Sequence, residues 1–261
     1  MRIALLLGLI ASIASIALGC GGPEPTPEEA AAEELARAGD RIPLLCGTGT
    51  RHPDTEAGRE ALARLDGMRA TAKEELAANA DARGTHPAVR ALLEDFLDLH
   101  PCPILTVNLA RYIEPELEGH ALDNRKLWPD LGGRLGDAVK SLAPSWLAGE
   151  GVVRAGGKGE AALLVSYTLR PDGAMSMRTS RGGALVVPRL AADLKIYARH
   201  PDGRKVQEKI GSLELPDDFE FSDTVVQGQE LTKGAAVRAM GRSLGARVPQ
   251  ALFDALRVEA R

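Results

Sequence analysis

Aromatic residues are scarce: four Phe, three Tyr and two Trp make up 3% of the 261 residues. Sites that stack sugars or bases need such rings, so stacking platforms are poorly supplied. Histidine is scarcer still, with five residues. His52, His86, His100, His120 and His200 form no His-Glu-x-x-His or His-x-His pattern, so no metal site is spelled out and no metal is expected. Cysteine occurs three times, never as Cys-x-x-Cys, which removes the redox-motif reading. No basic block appears. With 32 Lys and Arg against 36 Asp and Glu, the net charge is -4, and no nucleic-acid partner is expected. The 44% hydrophobic and 26% charged fractions are those of a globular chain and exclude wholesale disorder.

The first informative feature that is present lies at the N-terminus. Arg2 is followed by an uncharged run from Ile3 to Leu18. As a helix it would reach about 24 Å, short of the roughly 30 Å hydrocarbon core. A charged start, a short apolar run and small residues at its end read as an export signal. The run closes Ala17-Leu18-Gly19-Cys20, which resembles the lipobox of bacterial lipoproteins, with Ala17 where Leu is usual. The resemblance implies lipidation of Cys20, cleavage just before it, and attachment to the membrane through the lipidated Cys20. Because Gly21 rather than Asp follows, it further implies an outer-membrane lipoprotein facing the periplasm, if the cell has two membranes. The alternative is a plain signal peptide with an ordinary cysteine near its cleavage site.

If Cys20 carries lipid, Cys46 and Cys102 remain. In an oxidising compartment they are expected to pair as a disulfide closing a 56-residue separation, the alternative being two buried thiols. The chain divides into a signal at 1–19, a Pro/Glu-rich tether at 20–41, a helical region at 42–149 and an α+β region at 150–261. The last two regions are either one domain or two. Pro and Glu at the density of 23–29 favour an extended, solvated chain, with a short helix possible from Glu28 to Arg37.

Leu62, Leu65, Met68, Ala72 and Leu76 share a helical face that Asp54 can cap. Thr85-His86-Pro87 starts a second helix with Val89, Leu92, Leu93, Phe96 and Leu97 as its stripe. Leu131 to Leu142 reads as a third, stopped by Pro144. Ile104 to Leu109 is either a strand or a helix start. From 161 the period becomes two: Ala161, Leu163, Val165, Tyr167 and Leu169, then Leu190, Ala192, Leu194, Ile196 and Ala198. Pro171-Asp172-Gly173 and Pro201-Asp202-Gly203 read as two tight hairpin turns, and Gly211 as a bulge. Val237, Met240, Leu244 and Val248 form a helical stripe, with Pro249 restarting a second segment through Leu252, Phe253 and Leu256. The expected class is α+β: an N-terminal helical region followed by an antiparallel β-meander packed by C-terminal helices.

Catalytic motifs fare poorly. Gly241-Arg242-Ser243-Leu244-Gly245 matches a nucleophile elbow, but that turn needs a strand before Ser, and the preceding residues read as helix. Gly156-Gly157-Lys158-Gly159 lacks phosphate-loop spacing and reads as a loop between strands. Cys46-Gly47-Thr48-Gly49-Thr50 reads as a turn beside the disulfide. Glu114, Glu116, Glu118 and His120 read as a solvated acidic face. Glu94-Asp95 and Asp217-Asp218 are carboxylate pairs of the kind expected by chance. No catalytic or cofactor-binding residue and no cofactor is assigned. The function expected is that of a lipid-anchored envelope protein, a non-enzymatic binding or assembly module with an envelope protein as partner. The alternative is an envelope hydrolase of unmarked type, needing His52, His86 or His120 to converge with carboxylates.

Overall fold

The computed structural model describes residues 24–83, 85–99, 102–113, 131–178, 182–216, 219 and 232–256. The expected signal segment 1–19, Cys20, His100, the acidic stretch 114–120 and Asp217-Asp218 lie outside the described residues. The elements run α1 (Pro27–Ala38), α2 (Ile42–Arg51), α3 (Glu56–Arg83), α4 (Pro87–Leu97), β1 (Leu105–Ile113), α5 (Leu131–Lys140), α6 (Pro144–Leu147), β2 (Val153–Ala155), β3 (Ala161–Arg178), β4 (Ala184–Arg199), β5 (Lys205–Glu214) and α7 (Lys233–Leu256). The class is α+β.

Part of the expected tether is helix. Thr26 and Glu29 form a capping box, with the Glu29 amide donating to Thr26 Oγ1 at 3.3 Å and the Thr26 amide to Glu29 Oε2 at 2.8 Å. Pro27 takes the first turn, where its missing N–H costs nothing. Ala31, Leu35 and Ala38 of α1 are buried. The Pro/Glu composition that suggests a solvated chain is also that of a helix start. Glu28 in turn caps α3, accepting the amides of Glu56 at 3.0 Å and Ala57 at 3.4 Å. Thr55, not Asp54, gives the local cap, its Oγ1 accepting the Gly58 amide at 3.0 Å.

The 46–50 segment is helical rather than a turn, because Leu45, Cys46, Thr48 and Gly49 pack inward from α2. The Cys46–Cys102 disulfide is formed, with a Cα–Cα distance of 5.9 Å. It joins the middle of α2 to the segment before β1. Pro144 does not stop α5, which ends at Lys140; it opens α6. α7 runs unbroken through Pro249, since Val248, Leu252 and Phe253 are all buried and packing outweighs the lost hydrogen bond.

The sheet corrects the antiparallel meander. Its order is β2-β1-β3-β4-β5. β1 is parallel to both β2 and β3, and only β3–β4 and β4–β5 are antiparallel. A parallel β1 was hidden because its nine residues alternate too weakly to be told from a helix start. The Gly-rich loop 156–160 crosses from β2 to β3 over the start of β1. A Cβ on Gly159 would stand 2.4 Å from the Ile104 carbonyl oxygen, so glycine is required there.

The two Pro-Asp-Gly sequences part company. Pro201-Asp202-Gly203 is a turn: the His200 amide donates to the Arg204 carbonyl at 2.8 Å and the Gly203 amide to the His200 carbonyl at 3.0 Å. Pro171-Asp172-Gly173 lies inside β3 as a bulge, with Pro171 opposite Leu190 and Ala174 opposite Pro188. β3 therefore continues to Arg178, opposite Ala184. A second irregularity falls at Gly211, between the pairs Leu194–Gly211 and Lys195–Lys209, where a bulge was expected.

Ala161, Leu163, Val165 and Leu169, with Leu190, Ala192, Ile196 and Ala198, are fully buried on one sheet face. α4, α5 and α7 pack on the sheet. One hydrophobic cluster extends from Ala31 in α1 to Phe253 in α7, so the helical and α+β regions share a core.

Candidate functional site

The alternation that buries one sheet face turns Leu164, Ser166, Thr168, Lys195 and Tyr197 to the other, where most are half-exposed. Pairing sets these side chains in rows: Tyr112 beside Thr168, Leu164 beside Tyr197, Tyr197 beside Gln207, and Ser166 beside Lys195. Together they line a cleft of about 400 Å³, within the roughly 300–1,000 Å³ range of ligand pockets. It holds two of the three tyrosines of the chain, and Tyr112 is 52% exposed.

Beside the cleft, Asp193 accepts hydrogen bonds from Arg170 Nε at 3.2 Å, Ser212 Oγ at 3.0 Å and Lys209 Nζ at 2.9 Å. Arg170 also donates to Asp172 at 2.9 Å. Burial pushes the Asp193 carboxyl up, but the hydrogen bonds from Lys209, Ser212 and Arg170 outweigh it and hold the group below the ordinary aspartate value. The hydrogen bonds to Asp172 and Asp193 raise Arg170. Arg170 and Lys209 are thus spent on carboxylates. Among the described residues Lys195 meets no carboxylate, which leaves its ammonium to the cleft.

The histidines do not converge among the described residues; each meets its own carboxylate. His52 Nε2 lies 3.5 Å from Glu34, which also pairs with Arg51 at 3.0 Å. His86 caps α4, its Nδ1 accepting the Ala88 amide at 3.3 Å, and its Nε2 lies 3.7 Å from Glu208. His200 is fully buried. Its Nδ1 stands 2.6 Å from Asp95, which Arg204 also contacts at 2.6 Å. The Asp95–His200 pair has the first half of a catalytic triad's geometry, but its Nε2 is buried without a hydrogen-bond partner, and an enclosed ring cannot exchange protons with a substrate. The pair clamps α4 to the β4–β5 turn. Glu94 and Asp95 do not act together, since Glu94 pairs with Arg90 at 2.7 Å. Ser243 lies in the middle of α7, not on an elbow. Among the described residues no group of three or more His, Cys, Asp or Glu side chains is placed to hold a metal, and no helix is long and apolar enough to cross a membrane.

The outward parity of β3 and β4 was visible in the sequence. Tyr112 and Gln207 as neighbours were not, because they depend on the parallel placement of β1 and on the register of β5. No protein-family model matches the chain, and a search of curated proteins finds no relative of it.

Proposed function

We propose that the protein is a lipid-anchored component of a bacterial cell envelope and works as a binding module, with the Tyr112–Tyr197 cleft as its contact surface. In this reading Cys20 carries the anchor, residues 21–26 bridge it to α1, and the partner is an envelope component on the periplasmic side. The observation that carries the binding role is the cleft, where tyrosines, hydroxyls and a lysine that meets no carboxylate among the described residues converge from three strands and Gln207 joins them from a fourth. The disulfide suits an oxidising compartment.

The test is made in cells producing the full chain with a photo-crosslinking residue at Gln207. An acyl label should appear on the protein and vanish in Cys20→Ser. Crosslinking should capture one envelope component, and the double variant Tyr112→Ala/Lys195→Ala should abolish that capture while the acyl label stays. Absence of label from the unaltered protein overturns the anchor. Equal capture from a crosslinker at Arg64, in α3, overturns the role of the cleft.

A further inference from the structure

Three segments meet beside the disulfide. α2 contributes Ile42, Pro43 and Arg51, the 102–104 segment contributes Ile104, and the turn before and into β2 contributes Val152 and Arg154. Between them lies a groove of about 400 Å³, again in the range of ligand pockets. Its walls are tied in place. The Cys46–Cys102 bond holds α2 to the 102–104 segment, and the Leu105 amide donates to the Val152 carbonyl at 2.8 Å. A groove fixed in this way loses little freedom when filled.

The groove also departs from the charge of the molecule. The chain is acidic overall, with a net charge of -4, yet no Asp or Glu lines this site and two arginines do. Each folds back over a glycine. Arg51 Nε donates to the Gly47 carbonyl and Arg154 Nε to the Gly151 carbonyl, both at 3.1 Å. A Cβ would stand 3.1 Å from the Arg51 Nη2 at Gly47 and 3.4 Å from the Arg154 Nη2 at Gly151. With Nε occupied, the Nη groups remain as donors. Arg51 gives one to Glu34, whereas the guanidinium of Arg154 meets no carboxylate among the described residues. An apolar trough with guanidinium groups at its rim matches a molecule with an alkyl chain and an anionic head, and guanidinium recognises carboxylate or phosphate through paired N–H donors.

We infer that this groove binds a single-chain anionic amphiphile, with the alkyl chain against Ile42, Pro43, Ile104 and Val152 and the anionic head on Arg51 and Arg154. The site is separate from the Tyr112–Tyr197 cleft and does not depend on the anchor. A carboxylate head and a phosphodiester head share this chemistry, and the test separates them.

The probes are laurate, lauryl alcohol and a lauroyl lysophosphatidylglycerol, each below its micellar concentration. They are titrated by calorimetry into the chain from residue 20 onward carrying Cys20→Ser, so that no acyl chain of its own competes. Laurate or the lysolipid should bind saturably, one per chain, and at least tenfold tighter than the alcohol; the tighter of the two names the head. The variant Arg51→Gln/Arg154→Gln should remove that tenfold preference and leave alcohol binding unchanged. Thr50→Trp, at an exposed position on the groove wall, should fill the trough and weaken all three probes. Both variants change exposed side chains, and unaltered melting curves verify their folding. The inference is overturned if no anionic probe saturates, if the alcohol binds as tightly as the anions, or if Thr50→Trp leaves binding unchanged.

Discussion

Gly58 shows how much one missing side chain can decide. It sits in the first turn of α3, and a Cβ there would lie 1.8 Å from the His52 carbonyl oxygen and 3.0 Å from Thr55 Oγ1. Both groups are fixed, His52 as the end of α2 and Thr55 as the cap of α3. Gly58→Ala should therefore force the two helices apart and destabilise the protein by about 1–3 kcal/mol, although alanine is the better helix former. Urea unfolding checks this: the midpoint should fall with the slope unchanged. Nothing in the local sequence marks Gly58, because a glycine in a helix is ordinarily a cost. Its reason is a contact made across the α2–α3 junction. The same limit applies to Glu28, which reads as one acid in a Pro/Glu-rich run and proves to cap a helix 28 residues away.

Among the elements, β4 and β5 carry the clearest electrostatic linkage. Asp193 is drawn below the ordinary aspartate value by partners on β3 and β5. A carboxyl lowered in the folded state contributes stability above its unfolded value of about 3.9 and loses it as pH falls through the folded value. Asp193→Asn should thus lower stability at neutral pH and flatten its fall below about pH 4, so that the two proteins converge in acid. Melting temperatures across that range decide it, and parallel curves would remove Asp193 as the linked group. Much at this scale was legible. The α4 stripe, Leu135, Ala138 and Val139 of α5, and both inner strand faces are buried as their periodicity requires. Pro171-Asp172-Gly173 was not legible, since the same three residues make a bulge in β3 and a turn before β5. What separates them is the partner strand: β4 continues opposite 174–178, and ladder hydrogen bonds carry the chain past a sequence that would otherwise turn.

For the whole molecule, the shared core predicts a single cooperative unit. Helices from both halves enter a single hydrophobic cluster, and the Asp95–His200 clamp and the Asn79 bond to the Leu142 carbonyl at 2.6 Å tie distant segments together. Unfolding in urea should therefore be one transition. In Trp128→Phe, fluorescence of the fully buried Trp146 and far-ultraviolet circular dichroism should superimpose; separate midpoints would mean two independent units. The disulfide adds about 4 kcal/mol in the chain-entropy account, and it closes its loop within that same core.

The sequence by itself determined the helical and strand periodicities, the α+β class, the availability of Cys46 and Cys102 for each other, and the lipobox-like segment that motivates the proposed address. These are local properties, set by spacing along the chain. The parallel β1, the bulge in β3, the docking of α1, the Tyr112–Tyr197 cleft and the arginine-rimmed groove were decided only by tertiary structure. Each depends on which segments lie side by side, and that is settled by burial of one common core rather than by any segment's own preference.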